Sequence, residues 1–399
     1  MYEALLKEGE GILRLAPTWV PRAFCIPGKR IRLHPDDYYV LGLSRGGIDE
    51  RWFASTTHAE NGPETPDDEG LSYVVSADGK SRVLLRDMVA ALGGDLIGHD
   101  LWAKYHRWPM FSKFFDNKGP LPHHIHHRDE HAKRVGADGK PEMYFFPAQY
   151  NNHGGTFPFT FFGLAPGTTK AEVKACLAGF AKGDNCLLDL SQAFKITLDT
   201  GWDVPPGVLH APASLCTYEP QFASDVYAMY QSVLYGGECV SEDLLWKNCP
   251  DEEKGNFDYL MDVIDWDVNV DPYFKQNRFM APLVITKDDK HCEEWICYKC
   301  PTVSAKRLTV YPGETVMITD EAAYGLILIE GRGRMGKWDI ETPTLIRYGE
   351  LTSDEFFVSF DAATKGVTIT NTSKDEPLVM LKHFAENPEL DRLLAQKEG

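Results

Sequence analysis

The chain has 399 residues, of which 43% are hydrophobic and 25% charged, as is usual for a soluble globular protein large enough for two or three domains. Its formal net charge of −18 argues against nucleic acid or an anionic membrane as a general partner. The N-terminus has no basic segment followed by an apolar run, and nine cysteines at irregular spacing are typical of reduced thiols, so we expect a cytoplasmic protein.

The first hundred residues, 1–100, form an irregular segment that is rich in turns. Within it, apolar residues at helical spacing predict a helix over residues 82–92, which Gly93 and Gly94 would end. We expect this N-terminal segment to pack on the domain that follows it.

Residues 101–237 change to a pattern of short strands, which predicts a β-barrel. The clearest candidate strands are at 143–146 and 157–163. Between strands, Thr169 is followed three residues later by Glu172, which fits a capping box and predicts the start of a helix.

The second half of the chain begins with an acidic stretch, residues 238–279, which predicts a solvated connector. Residues 280–388 return to strands separated by Gly, Asp and Pro turns, as in a jelly roll. This half has no His-x-His pair, so we expect it to bind no metal. Residues 389–399 are charged and predict a short surface tail. The candidate strands of this half are 307–311, 324–330, 355–360, 367–371 and 378–382.

Four histidines occupy the five positions 123–127. Because alternate residues of a strand point to the same face, His124 and His126 are predicted to project together. His123 and His127 would then project to the opposite face. The competing interpretation is a solvated His-rich loop with incidental affinity for metal.

Two later residues extend this pair into a candidate metal site. Glu142 could add an oxygen ligand, and His210 a third nitrogen from a strand that follows the Pro205-x-Gly turn. Three histidines and one glutamate with open positions suit a catalytic zinc, iron, manganese or nickel ion better than a closed structural zinc site. The order His-x-His, Glu, Pro-x-Gly-x-x-His resembles the ligand order of cupin barrels.

Between Phe111 and His127 the chain resembles the type I mannose-6-phosphate isomerases, zinc enzymes built of cupin jelly rolls. KFFDNKGPLPHHIHH at 113–127 aligns without a gap with that family's K-x-L-x-A-x-x-P-L-S-I-Q-V-H-P. Weaker matches are Glu50-Arg-Trp with E-L-W, Gly139-Lys-Pro-Glu142 with Lys-Pro-Glu, and His210-Ala211 with the His-Ala of the last ligand. The resemblance implies a mainly β fold of two cupin jelly rolls with a few helices, of which the first binds the metal.

The departures from the family affect the proposed site. His124 replaces the family's ligand Gln, and Tyr235 stands where the family has an Arg that serves the phosphate end. Asp225 aligns with a family carboxylate and is our candidate base, with Lys140 as a second catalytic candidate. Glu50 and Tyr235 are candidate contacts to the substrate. A structural carboxylate at Asp225, a surface turn residue at Lys140 and an ion pair at Glu50 are the competing interpretations.

The favoured function is a metal-dependent sugar isomerase that interconverts an aldose and a ketose through an enediolate. The cofactor would be one divalent metal, with zinc first and iron, manganese or nickel as alternatives. The ligand would be a small sugar, free or acidic rather than phosphorylated, with neither nucleic acid nor a membrane as a partner and a homodimer left open. An iron or manganese oxygenase and a non-catalytic sugar-binding cupin remain as alternative functions.

Overall fold

Two pairs of antiparallel β-sheets form the core of the fold in the computed structural model, which describes residues 1–151, 157–212 and 214–398. Each pair is a jelly roll, so the predicted mainly β fold with two cupin jelly rolls is confirmed. No helix within the described ranges is long and apolar enough to cross a membrane.

The first jelly roll contains a seven-stranded and a five-stranded sheet among the described residues. Its larger sheet has the strand order Phe279–Met280, Gly201–Val204, Glu142–Phe145, Thr217–Phe222, Met110–Phe115, Gly47–Phe53 and Thr18–Arg22. Its smaller sheet has the order Ser191–Lys195, Phe159–Leu164, His210–Ala211, His124–Ile125 and Ala228–Met229.

The second jelly roll contains a seven-stranded and a four-stranded sheet among the described residues. The larger sheet has the order Ile12–Arg14, Glu355–Val358, Tyr324–Glu330, Leu378–Phe384, Ser304–Val310, His291–Cys297 and Leu283–Lys287. The smaller sheet has the order Thr315–Ile318, Val367–Asn371, Arg332–Met335 and Trp338–Glu341. A separate hairpin pairs Tyr73–Val75 with Arg82–Leu84.

The N-terminal hundred residues, which we expected to pack on the first jelly roll, contribute strands to both. Thr18–Arg22 and Gly47–Phe53 extend the larger sheet of the first jelly roll. Ile12–Arg14 pairs with Glu355–Val358 of the second. Strand pairing over more than 300 residues of sequence separation joins the two halves into one structure.

The largest hydrophobic cluster lies between the two seven-stranded sheets, which pack back to back. It joins Phe53 and Phe114 of the first jelly roll to Ile327 and Phe357 of the second, all of them fully buried. Each such large side chain contributes about 1.5–3 kcal/mol when it is removed from water. A second cluster of apolar side chains fills the interior of the second jelly roll.

Helices cover the sheets and connect them. The helix expected at 82–92 begins at Leu85 and ends at Leu92, because residues 82–84 pair as a strand instead. The capping box predicted at Thr169 is confirmed: its hydroxyl accepts the N–H of Glu172, whose carboxylate accepts the N–H of Thr169. The α-helices are Tyr2–Glu8, Leu85–Leu92, Gly94–Ile97, His99–Tyr105, Asp129–Ala132, Ala148–Asn151, Lys170–Ala178, Phe257–Val263, Trp266–Asn269, Phe274–Arg278, Phe360–Lys365 and Pro388–Glu398. Short 3-10 helices lie at Pro35–Asp37, Leu43–Arg45, Lys133–Val135, Phe180–Lys182, Leu187–Leu190, Glu242–Leu244 and Asp251–Glu253.

The acidic connector is packed rather than solvated. Its helix Phe257–Val263 lies against Lys170–Ala178 and buries Leu260 and Val263 in a cluster beneath the smaller sheet of the first jelly roll. This stretch is rich in acidic residues, and most of them lie on its exposed face. Its charge alone therefore does not reveal that its other face is apolar and buried.

Candidate metal centre

His124, His126 and His210 meet inside the first jelly roll, between its two sheets. His124 and His210 are directly paired across neighbouring antiparallel strands, which places their side chains next to each other on one face. His126 follows the short strand His124–Ile125. One donor atom from each of the three residues lies within 4.8 Å of the others, and all three residues are buried.

A tight turn delivers His210 to this position. Gly207 in the Pro205-x-Gly turn has φ +85°, a conformation that glycine adopts readily. The N–H of Gly207 donates to the carbonyl of His126 at 2.8 Å. The turn therefore ties the two ligand-bearing segments together.

The ring orientation of each histidine is fixed by its own hydrogen bond. Nδ1 of His124 lies 3.0 Å from the carbonyl of Pro122, Nδ1 of His126 lies 2.8 Å from that of Val226, and Nδ1 of His210 lies 2.8 Å from that of Val208. A carbonyl only accepts, so each Nδ1 carries a proton, and in the neutral ring Nε2 then keeps its lone pair. Metal-binding histidines are commonly oriented in this way.

Glu142 faces the histidines from the opposite sheet. Its carboxylate lies 3.0 Å from Nε2 of His126 and 3.2 Å from Nε2 of His210. Nε2 of His210 is buried and makes no hydrogen bond. The lone pair of His210 Nε2 and the carboxylate of Glu142 repel each other at this distance unless a cation lies between them, so this set of ligand atoms fits a divalent metal ion.

The electrostatics of the cluster favour the protonation states in which histidine and glutamate side chains bind metal. Burial lowers the pKa of His124 well below its usual value and lowers the pKa of His126 to about 4, so both rings are neutral at neutral pH. Burial alone would raise the pKa of Glu142, but the positive charge of Lys140 beside it favours the ionised carboxylate, and its pKa lies well below the usual value. Neutral imidazoles and an ionised carboxylate are the forms that bind metal.

The other two histidines of the run lie away from this cluster, as the strand alternation predicts. Nδ1 of His123 lies 2.9 Å from Oε1 of Gln231, and its Nε2 contacts the hydroxyl of Ser191. His127 is buried, and burial lowers its pKa to about 3. These contacts position the segment rather than add donors to the cluster.

A buried chain of alternating charges extends from the cluster across the larger sheet. Successive members lie 3.1–3.6 Å apart, and each cation contacts two carboxylates. Burial and the neighbouring Glu142 raise the pKa of Glu219 to about 8, against the effect of Lys113 and Lys140. The members in spatial order are Asp225, Arg22, Glu50, Lys113, Glu219, Lys140 and Glu142.

Asp225 and Glu50, two of the predicted site residues, are both held by Arg22. The Arg22 guanidinium donates to both oxygens of Asp225, and the N–H of Glu60 donates to the same carboxylate at 2.9 Å. Burial alone would raise the pKa of Asp225, but Arg22 and Lys140 hold it well below its usual value. The indole N–H of Trp52 donates to Glu50 at 2.7 Å, which fixes that side chain as well.

A small cavity next to the histidines brings most of the predicted residues together. It has a volume of about 40 Å³, which is room for about three water molecules. A sugar therefore needs the cavity to open. Its ionisable lining side chains include Arg22, Glu50, Lys113, His124, His126, Lys140 and Asp225.

Tyr235 lies outside this cavity. Its ring is about half exposed, at 52%, and packs over Gly119, where a Cβ atom would lie only 2.3 Å from the ring. It lines a separate surface cavity that shares Phe24 and Leu121 with the metal cavity. A contact between Tyr235 and the substrate stays a prediction.

Sequence reasoning missed three ionisable residues of the site. Lys113 begins the segment that matches the isomerase motif, so the alignment itself could have singled it out. Glu219 lies on the strand Thr217–Phe222, and its pairing with Met110–Phe115 on one side and Glu142–Phe145 on the other places it beside the two lysines. Arg22 comes from an N-terminal strand with no motif, and no sequence signal connects it with Asp225.

Comparison with known proteins identifies the fold. No protein-family model matches the chain, and no curated protein sequence matches it significantly. Among solved structures, mannose 6-phosphate isomerase from Bacillus subtilis is similar at 16% identity and a TM-score of 0.63, covering 94% of this chain and 99% of its own. A putative mannosephosphate isomerase from Archaeoglobus fulgidus is 14% identical, with a TM-score of 0.62, covering 94% and 97%. A zinc-bound mannose 6-phosphate isomerase is 11% identical, with a TM-score of 0.61, covering 94% and 100%.

Identities this low establish the fold alone. The likeness extends over both jelly rolls, because it covers nearly the whole of this chain and of each similar structure. The resemblance inferred from the motifs is thereby confirmed at this level: the chain has the fold of the type I mannose-6-phosphate isomerases of the cupin superfamily.

Proposed function

We propose that this chain is a metal-dependent sugar isomerase that interconverts an aldose and a ketose. The proposed ligands are His124, His126, Glu142 and His210, with zinc as the first candidate ion. The observation that carries the proposal is the convergence of three buried imidazoles, each oriented through Nδ1, next to a buried carboxylate. A site of nitrogens and one oxygen with open positions is typical of catalytic zinc.

Aldose–ketose conversion moves a proton between adjacent carbons while negative charge develops on a sugar oxygen. A bound divalent ion would supply charge stabilisation for that oxygen. The rest of the site must move the proton and exclude water. The cavity supports this task because its ionisable groups are buried and fixed by their neighbours.

Lys140 and Asp225 are the proposed groups for proton transfer and substrate positioning. Asp225 has a lowered pKa, which makes it a weak base. We therefore favour Lys140 as the carrier of a proton to or from a substrate oxygen. Asp225 would hold Arg22 toward the cavity, where its guanidinium could donate to sugar hydroxyl groups.

The charge balance of the cavity supports a free or acidic sugar over a phosphosugar. Arg22, Lys113 and Lys140 each contact two carboxyl groups, and the ionised Asp225, Glu50 and Glu142 already balance their three charges. A phosphate dianion needs charged partners that are free to bind it. We propose that mannose 6-phosphate is a poor substrate for this chain.

Elemental analysis of the purified protein and a screen of sugars for isomerisation would test this proposal. We expect one zinc per chain, conversion of a free or acidic aldose, and loss of both in His210→Ala. Consumption of oxygen with a sugar would favour an oxygenase instead. Stoichiometric metal without conversion of any sugar would favour a non-catalytic binding protein, and efficient turnover of mannose 6-phosphate would contradict the substrate proposal.

A further inference from the structure

A second, larger cleft lies directly outside the metal cavity. It has a volume of about 590 Å³ and lies between residues 60–64 and the segment 238–247. Phe24 and Tyr227 line both the cleft and the metal cavity, and their ring centroids are 6.1 Å apart. The two rings therefore separate an open cleft of ligand size from a cavity that is too small for a sugar.

Lys247 lies on the inner side of this cleft. Its ammonium group donates to the carbonyl of Glu60 at 2.8 Å and to the hydroxyl of Tyr227 at 3.2 Å, and it lies 4.5 Å from the centre of the Tyr227 ring. Burial lowers the pKa of Lys247. Its hydrogen-bond partners hold the ammonium beside the ring that borders the metal cavity.

Lys247 differs from the other cations around the site in having no carboxylate partner. Among the described residues it forms no ion pair within 4.0 Å, whereas Arg45 in the same cleft donates to both oxygens of Glu69 at 2.7 and 2.8 Å. In a chain of net charge −18, a partly buried cation with no carboxylate in direct contact favours the binding of an acidic group.

We propose that the outer cleft is the second half of the substrate site and that Lys247 binds the carboxylate of a sugar acid. This inference rests on the proposed isomerase function and deepens it by naming the substrate class. The reacting carbons would pass the Phe24–Tyr227 pair and lie at the metal ligands, while the acidic end stays in the cleft. Lys247 lies next to Tyr227, which borders the metal cavity, so one sugar can contact both Lys247 and that cavity.

A carboxylate fits this cleft better than a phosphate. One ammonium group balances the single charge of a carboxylate but not the double charge of a phosphate. The exposed side chains of Glu60, Glu64 and Glu238 also line the cleft, and they repel a dianion more strongly than a monoanion. The test must therefore distinguish the binding of a phosphosugar from the binding of a sugar acid.

The test measures equilibrium binding by calorimetry to the zinc-loaded protein, with mannuronate, mannose and mannose 6-phosphate as probes. We expect mannuronate to bind most tightly. Lys247→Met should weaken mannuronate binding about tenfold to a hundredfold, because a hydrogen bond to a charged group is lost. Binding of mannose should be unchanged, and Lys247→Arg should restore most of the loss.

Two comparisons make the result decisive. Zinc-free protein should bind mannuronate more weakly, because the other end of the sugar loses its ligand. Equal mannuronate affinity in wild type and Lys247→Met, tightest binding of the phosphosugar, or no effect of zinc would each overturn the inference. Binding that depends on Lys247 and on zinc, together with no isomerisation of any sugar in the screen, would contradict the isomerase proposal and leave the sugar-acid site standing.

Discussion

Lys140 contacts two of the atoms that we propose as metal ligands, which leads to a prediction about affinity. Its ammonium group lies 3.1 Å from Nε2 of His126 and 3.1 Å from Oε2 of Glu142. Metal binding at these atoms requires the ammonium to withdraw. Lys140→Met should therefore bind zinc more tightly than the wild type, although it removes a polar residue from the site.

The expected size follows from the contacts that must break. A hydrogen bond to a charged group contributes about 1.5–3 kcal/mol. If the metal no longer has to break one such hydrogen bond, the affinity for zinc should rise roughly tenfold to hundredfold. If Lys140 also carries the proton, turnover should fall by about 10²–10⁴ in the same variant.

Lys113→Met is the matched control. Lys113 is also buried in the cavity lining, but it contacts Glu50 at 3.2 Å and Glu219 at 3.3 Å rather than a proposed ligand. Both variants lose one positive charge near the site, so only direct competition distinguishes them. Zinc affinity is measured by competition with a chromophoric chelator, and thermal unfolding checks the fold of each apo-protein.

The reasoning fails on either of two results. One is a weaker affinity for zinc in Lys140→Met than in wild type. The other is an equal gain in the two variants, which would mean that long-range charge rather than direct contact sets the affinity.

Three further predictions concern the ligands, the interface and the pH dependence. His210→Ala should lose stoichiometric zinc in elemental analysis, whereas Asp225→Asn should keep it, because Asp225 is held by Arg22 rather than by the histidine cluster; loss of zinc from both variants would contradict this. Arg51 makes two 2.8 Å hydrogen bonds to Asp354 across the two jelly rolls, so Arg51→Met should lower the free energy of unfolding in urea by about 3–5 kcal/mol; an unchanged midpoint would rule out this role. Burial raises the pKa of Glu355 to about 8. The folded state therefore binds the proton of this carboxyl group more tightly than the unfolded state does. The resulting stabilisation is complete below about pH 4.3 and is lost as the pH rises through 8. Glu355→Gln should remove roughly 2.7 kcal/mol of the stability change between pH 6 and pH 9, and identical pH profiles would refute the assignment.

The sequence determined features that depend on near neighbours in the chain. Strand alternation separates His124 and His126 from His123 and His127, and the capping box at Thr169 needs only three residues. The motif order also indicated a cupin barrel before any contact was known. These signals are local. The direction of a side chain in a strand follows from the two-residue period of the backbone, and a capping box consists of hydrogen bonds within one helical turn.

The helix Phe360–Lys365 begins inside a segment for which the sequence pattern predicts a strand. The pattern predicts a strand over residues 355–360, but the strand ends at Val358. The Ser359 side chain caps the helix by accepting the N–H of Ala362, and Gly366 follows its last residue. An apolar run in a β-rich region concealed a start and a stop signal that the residues themselves carry.

Only the tertiary structure decided which charges lie around the candidate metal site. Arg22 and Asp225 are 203 residues apart in sequence, and Glu219 approaches Lys140 only because the strand Thr217–Phe222 pairs with its neighbours. Arg22 and Lys140 hold the pKa of Asp225 low against the effect of burial, which makes this carboxylate less basic. A pKa depends on burial and on charges within a few ångströms, and both are set by sheet pairing across the whole chain. The sequence alone could therefore predict which residues form the candidate metal site but not which charges surround them.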